Sequence, residues 1–87
     1  MNVSIEFEAG SILAVYFSLR QGKVARTIEA GNGVQVDQDR NGTVLGVEML
    51  NPAKVNIVER IGRKRHIPEL THARRDLRRA FRELLPV

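Results

Sequence analysis

The 87-residue sequence contains no cysteine and no tryptophan, and it has only one tyrosine and three phenylalanines. The absence of cysteine excludes disulfides, thiolate zinc sites and cysteine nucleophiles, and it is typical of proteins in a reducing compartment. So few aromatic side chains offer little material for stacking nucleic-acid bases or for lining a large ligand pocket. We therefore expect no cofactor and no small-molecule substrate.

Long hydrophobic runs are also missing. The longest, residues 12–17, is far too short to span a bilayer, which takes about 20 apolar residues. The first ten residues carry two glutamates and lack the basic region and apolar run of a signal peptide. These features predict a cytoplasmic protein with no membrane contact. Because a chain of this length has room for one hydrophobic core, residues 1–87 are expected to form a single domain.

Charge is divided unevenly along the chain. Residues 1–50 carry four basic and six acidic side chains, a net charge of −2, whereas residues 51–87 carry ten basic and four acidic ones, a net charge of +6. A charge asymmetry of this size indicates an interaction surface in the basic part. The second half is therefore where we expect a partner to bind.

The first half shows the patterns of short β-strands. Residues 3–8 alternate between apolar and polar side chains, which is the period of a half-buried strand. Residues 12–19 are almost entirely apolar, which predicts a central strand. Residues 24–30 form a weaker strand that a glycine-rich break ends.

Residues 34–49, VQVDQDRNGTVLGVEM, predict a β-hairpin. Asn41-Gly42 is the strongest short hairpin signal, and a two-residue turn there places Val36 opposite Val47. A shift of one residue would set the valines opposite a glycine and a glutamate, so the apolar pattern favours this register. We therefore expect an α+β fold in which a five-stranded antiparallel β-meander over residues 2–50 precedes one or two C-terminal helices.

The same stretch also matches the EF-hand pattern D-x-[DN]-x-[DN]-G-x₅-E, through Asp37, Asp39, Asn41, Gly42 and Glu48. An EF-hand loop needs a helix on each side, and the β-branched run before this stretch does not predict one. In the hairpin, Glu48 lies only diagonal to Asp37, about 7–8 Å away, which is too far to close a cage. Glycine, asparagine and aspartate are ordinary turn residues. We interpret the match as a turn and expect no metal site.

The stretches SILAVYFSL and KVARTIEAGNGVQVDQDRNGTVLGVEMLNPA resemble a small prokaryotic family, the domain of unknown function twenty-two eighty-three. Its members carry an ALYI-L strand, a T-E strand and a final hairpin of the form V-x-x-D-x-D-x-x-G-x-x-x-G-[IV]-E-[IV]-L. The hairpin motif is carried here by Val34, Asp37, Asp39, Gly42, Gly46, Val47, Glu48, Met49 and Leu50. The resemblance covers about residues 3–53 and departs from the family at Ile28, where members more often have an acidic residue. It implies a small β-rich module that self-associates, and it implies no activity.

Residues 51–87 form a basic segment whose patterns predict helix. Asn51-Pro52 is typical of a helix start, since asparagine caps well and proline fits the first helical position. A helix over residues 52–61 would then end at Gly62, although its apolar positions also fit a strand. Residues 63–66, RKRH, follow as a polar connector.

Pro68 opens a second helix with a stronger pattern. Its apolar residues recur at three- and four-residue spacing, so they form one stripe along the helix. This stripe predicts a seam for a homodimer or another protein partner, consisting of Leu70, Leu77, Phe81 and Leu84. Small bacterial proteins with one β module and one charged helix are often antitoxins or other regulators, an analogy at the level of architecture.

Basic residues around the second helix indicate an alternative function, nucleic-acid binding. Arginine outnumbers lysine, which favours bidentate contacts to phosphate or carboxylate. The basic side chains available for nucleic acid or an acidic partner are Arg63, Lys64, Arg65, Arg74, Arg75, Arg78, Arg79 and Arg82. A solvated charged surface without a partner is the third interpretation, because the sequence has no recognised DNA-binding motif.

Catalytic residues are not apparent. His66 and His72 are six residues apart with a proline between them, which is not the spacing of a helical metal pair. No serine, base and orienting residue can be assembled into a nucleophilic site. We therefore expect a non-enzymatic interaction or regulatory protein with no catalytic residues.

Overall fold

The computed structural model of the chain describes residues 1–50 and 54–84. A five-stranded antiparallel sheet is followed by two α-helices and an intervening 3₁₀ helix. The strands are β1 (Asn2–Glu8), β2 (Ser11–Ser18), β3 (Arg26–Gly31), β4 (Val34–Gln38) and β5 (Val44–Met49). The helices are α1 (Val55–Lys64), the 3₁₀ helix (Pro68–His72) and α2 (Ala73–Leu84). The expected α+β class, with five antiparallel strands before C-terminal helices, is confirmed.

The strand order differs from the expected meander. The sheet runs β1-β2-β5-β4-β3, so β2 pairs with β5 and the chain crosses to the far edge before forming β3. Burial explains the order, because Phe17 of β2 pairs with Val47 of β5 and both side chains are fully buried. In β3, by contrast, residues 26–30 are all exposed, which suits an edge strand.

The register predicted for the hairpin is confirmed, since Val36 pairs with Val47 and Gln35 with Glu48. The turn itself differs from the two-residue type. The Gly42 N–H donates to the Asp39 carbonyl at 3.0 Å, and Gly42 has a φ of +82°. Such a β-turn followed by a glycine in the left-handed region is the three-residue form of hairpin loop. A bulge between Asp37 and Gln38 absorbs the extra residue.

A continuous apolar row crosses the sheet on the side that faces the helices. Its members are successive pairing partners, one from each strand: Val3, Phe17, Val47, Val36 and Ile28. The row ends at the β3 edge, where Ile28 is 38% exposed. Val58 of α1, Leu70 of the 3₁₀ helix and Leu77 of α2 belong to the same buried core as the central residues of this row. Burial of these apolar side chains is the main force that joins the two layers.

The first helix is confirmed, and the strand alternative for its residues is wrong. The Asn51-Pro52 start lies outside the described residues, and the α-helix runs from Val55. Gly62 does not end it, because α1 continues to Lys64. Arg63 and Lys64 therefore belong to the helix, and the connector is shorter than expected.

Gly62 is a packing residue. It is buried, and a Cβ on it would lie 2.8 Å from the Leu70 Cβ and 2.9 Å from the Thr71 nitrogen. The Ile67 N–H also donates to the Gly62 carbonyl at 2.8 Å. The absence of a side chain thus lets the 3₁₀ helix lie directly against α1. A glycine near the end of a helix can therefore have a second explanation, which is the close approach of two backbones.

The Glu59 carboxylate joins α1 to the start of α2. Its Oε2 accepts the backbone N–H of Arg74 at 3.1 Å, near the N-terminus of α2. Carboxylates at this position satisfy a free N–H and interact favourably with the helix dipole. The two helices are therefore held together by a polar contact as well as by their apolar side chains.

Replacing Gly62 with alanine should destabilise the protein by about 2 kcal/mol, because the added methyl group overpacks a contact with backbone atoms. Urea unfolding followed by circular dichroism measures this loss. Asn56→Ala is the matched control, since Asn56 is exposed on the same helix and alanine favours helix. Equal stability of the two variants would contradict the packing role of Gly62.

Candidate functional site

The eight basic residues predicted to contact phosphate all lie on the solvent-facing side of the helical layer. Arg63 and Lys64 occupy the last turn of α1, and Arg65 follows it. The remaining five lie on α2, whose buried residues Ala73 and Leu77 face the sheet. All eight side chains are exposed. Packing of the apolar stripe on the sheet thus directs the arginines of α2 towards solvent.

Few acidic groups neutralise this basic helical surface. The Arg74 Nη2 is 3.9 Å from the Glu59 Oε1, and the Arg75 Nε is 3.5 Å from the Asp76 Oδ1. Exposed pairs of this length contribute little stability. Within residues 1–50 and 54–84, no ion pair involves the other six side chains, which are Arg63, Lys64, Arg65, Arg78, Arg79 and Arg82.

The residues of the predicted partner seam are divided between the core and the surface. Leu70 and Leu77 are buried in the core of their own chain, and Phe81 packs partly against it. Leu84 is 55% exposed at the end of α2. The part of the stripe that remains available to a partner is therefore its C-terminal end.

A polar cluster that the sequence analysis did not find lies on the opposite face of the sheet. The Tyr16 hydroxyl donates to the Asp37 Oδ2 at 2.8 Å, and the Thr27 hydroxyl donates to the Asp37 Oδ1 at 2.7 Å. Because β5 lies between β2 and β4, the Tyr16 side chain must cross a strand to reach Asp37. It does so over Gly46, where any Cβ would overlap the tyrosine ring and hydroxyl. A glycine inside a strand can mark such a close approach, and this was the one available signal.

The environment of Tyr16 raises the pKa of its hydroxyl from 10.0 to about 12. Burial is the largest cause, followed by the hydrogen bond to Asp37 and then by the negative charges of Asp37 and Glu48. All of these favour the neutral phenol over the phenolate. Tyr16 is therefore a hydrogen-bond donor held in place by its neighbours.

The stretch that matches the EF-hand pattern is a hairpin, as interpreted. The Asp39 Oδ1 accepts the backbone N–H groups of Asn41 and Thr43 at 2.8 and 2.9 Å, so this carboxylate stabilises the turn. The Asp37 carboxylate is occupied by Tyr16 and Thr27. Within the part of the chain that the structure describes, no three His, Asp or Glu side chains are grouped as metal ligands would be.

The two histidines lie outside the Tyr16–Asp37–Thr27 cluster and the hairpin turn. His66 is exposed just after α1 and adopts a φ of +55°, and His72 is exposed at the end of the 3₁₀ helix. No helix among the described residues is long and apolar enough to cross a membrane.

The fold and its two faces define a two-layer α+β protein, with a polar sheet face and a basic helical surface. The family described as "Protein of unknown function (DUF2283)" matches residues 7–51, more than half of the chain, and the chain belongs to that family. No curated protein and no solved structure matches the chain. The matched residues include β2 to β5 and the Tyr16–Asp37–Thr27 cluster, whereas both α-helices lie beyond them.

The Tyr16 hydroxyl should titrate with a midpoint near pH 12 in the folded protein and near pH 10 in denaturant. Since the folded pKa is raised, the stability linked to this group is complete below pH 10 and is lost as the pH rises towards 12. The protein has a single tyrosine and no tryptophan, so absorbance at the phenolate band measures the midpoint directly.

Asp37→Asn tests whether the Asp37 charge raises the pKa of Tyr16. The substitution removes one negative charge and keeps a hydrogen-bond acceptor beside the phenol. The midpoint should fall below that of the wild type while remaining above that of the unfolded chain. A native midpoint near pH 10 in the wild type would contradict the Tyr16–Asp37 contact.

Proposed function

We propose that this protein is a non-enzymatic nucleic-acid-binding protein whose basic helical surface contacts the phosphate backbone. The observation that carries the proposal is the exposure of eight basic side chains on one layer, with two long ion pairs as their acidic contacts among the described residues. Six of the eight are thus available to replace the counterions of a polyanion, which is the main source of sequence-independent affinity.

Charge on the opposite face supports this orientation of binding. The outer face of the sheet carries Asp37 and Glu48 beside Tyr16, and these negative charges repel phosphate. The four aromatic side chains of the chain supply no stacking platform, and Tyr16 is held against Asp37. Binding would therefore use the backbone of the nucleic acid rather than its bases, with little sequence preference.

Self-association is a second candidate, favoured by the exposure of Leu84 and the incomplete burial of Phe81. A dimer contact through the C-terminal end of α2 would leave Leu70 and Leu77 in the core. It would also bring two basic helical surfaces into one particle, which increases affinity for a polymer with repeated sites. A regulatory role of the antitoxin type is compatible with such a dimer.

The proposal is tested by fluorescence anisotropy of labelled mixed-sequence DNA and RNA at several salt concentrations. Wild-type affinity should fall steeply with salt, because the logarithm of the binding constant changes by about −0.9 per neutralised phosphate on duplex DNA and about −0.7 on single strands. Arg78→Glu should weaken binding roughly tenfold or more and make this slope shallower by about one. Light scattering on the same samples counts subunits.

Lys54→Glu is the matched control, since it makes the same charge change at the start of α1, outside the basic helical surface. It should alter binding far less than Arg78→Glu. Absence of binding by the wild type at low salt, or equal losses in the two variants, would refute the proposed site.

A further inference from the structure

The four basic residues of the acidic half lie together at one end of the sheet. They are Arg20, Lys23, Arg26 and Arg40. Arg20 follows β2, Lys23 and Arg26 lie just before and at the start of β3, and Arg40 is in the β4–β5 turn. The register pairs Ser18 with Gly46 and Arg26 with Gln38, which places these segments at the same end. Folding thus concentrates positive charge that the linear sequence separates.

Two hollows flank the β4–β5 turn at this end. One, of about 390 Å³, is lined by Arg20 and Arg65 together with Gly42 and Thr43. The other, of about 480 Å³, is lined by Lys23 and Arg40 beside Asn41. Each hollow therefore has two basic residues in its lining. Arg65 comes from the helical layer, so the first hollow joins the sheet to the basic helical surface.

Acidic side chains do not balance this end of the described structure. Asp39 is the one acidic residue that lines either hollow, and its Oδ1 already accepts the N–H groups of Asn41 and Thr43. The Arg26 Nη2 makes one weak contact with the Arg40 carbonyl, at 3.4 Å. Gathering like charges around one turn costs free energy through repulsion, and among the described residues none of these bases makes an ion pair.

We infer that this end of the sheet is a second phosphate-contacting surface, which extends the basic helical surface onto the sheet layer. We call it the basic rim, defined by Arg20, Lys23, Arg26, Arg40 and Arg65. Its two hollows would receive phosphate groups of one nucleic-acid strand on either side of the β4–β5 turn, each approached by two basic side chains. Arginine suits this role because its planar guanidinium binds phosphate through two hydrogen bonds. The inference rests on the proposed function.

Amide chemical shifts locate the contact without any mutation. A ¹⁵N-labelled sample of the full chain would be titrated with a short mixed-sequence single-stranded DNA. The rim predicts shift changes at residues 19–24 and 39–43, in addition to those on α2. Residues 30–33, at the opposite end of the sheet, should not respond. A response on α2 alone would overturn the inference.

A double substitution, Arg20→Ala with Arg40→Ala, removes one base from each hollow. Anisotropy should show roughly fivefold weaker binding or more at low salt, and a single-strand salt slope shallower by about 1.4, which corresponds to two lost phosphates. Lys54→Ala with Arg60→Ala is the control, because it removes the same charge from α1, outside the basic rim.

The outcomes separate the inference from the proposed function. If wild-type protein does not bind DNA or RNA at low salt, both are wrong. If Arg78→Glu weakens binding while the rim variant equals its control, the rim is wrong and the proposed function stands. If the rim variant loses affinity and slope beyond its control, and its amide spectrum retains the wild-type dispersion, the rim is established as part of the site.

Discussion

The packing of one apolar stripe against one face of the sheet is the constraint on which the rest of the structure depends. The sheet presents Phe17, Val47 and Val36 on that face, and these three residues share one buried core with Leu70 and Leu77. Exposure of such a row to water would cost far more than any surface ion pair contributes. Once the stripe is used in this way, α2 has one orientation, and its arginines point outwards because they occupy the remaining positions on the helix.

The two faces of the molecule consequently have opposite character. The outer face of the sheet holds the Tyr16–Asp37–Thr27 cluster, which ties β2, β4 and β3 together across Gly46 of β5. These residues lie within the part of the chain that matches its family. The basic helical surface lies beyond that part. The cluster therefore lies in the sheet that the family match covers, and we propose the basic helical surface as the place where this chain binds a partner.

Local sequence patterns predicted the elements whose structure depends on residues close together in the sequence. Alternation identified the strands, and the apolar positions around Asn41-Gly42 were enough to define the hairpin register, because a shift of one residue would expose its valines. The strand order could not be predicted in the same way. It depends on which strand best covers the buried side of β2, and that is a contact between residues about 30 positions apart in sequence.

Prediction of the candidate site from the sequence was limited in the same way, by contacts between distant parts of the chain. Exposure of the arginines of α2 followed from the helical pattern, but Gly62 was interpreted as a helix end because its close contact with Leu70 comes from a later segment. The basic rim could not be predicted from the sequence for a similar reason. Arg20, Arg40 and Arg65 are far apart in the chain, and only the sheet register and the length of α1 bring them to one end.

Leu70 and Leu77 of the apolar stripe belong to the core of their own chain. Urea unfolding of Leu77→Ala at several protein concentrations tests this placement most directly, with Leu84→Ala as the exposed counterpart. We expect Leu77→Ala to lose about 3 kcal/mol of stability, with the same unfolding midpoint at every protein concentration. A folded Leu77→Ala monomer of wild-type stability, obtained from a wild-type dimer whose midpoint rises with concentration, would contradict the account.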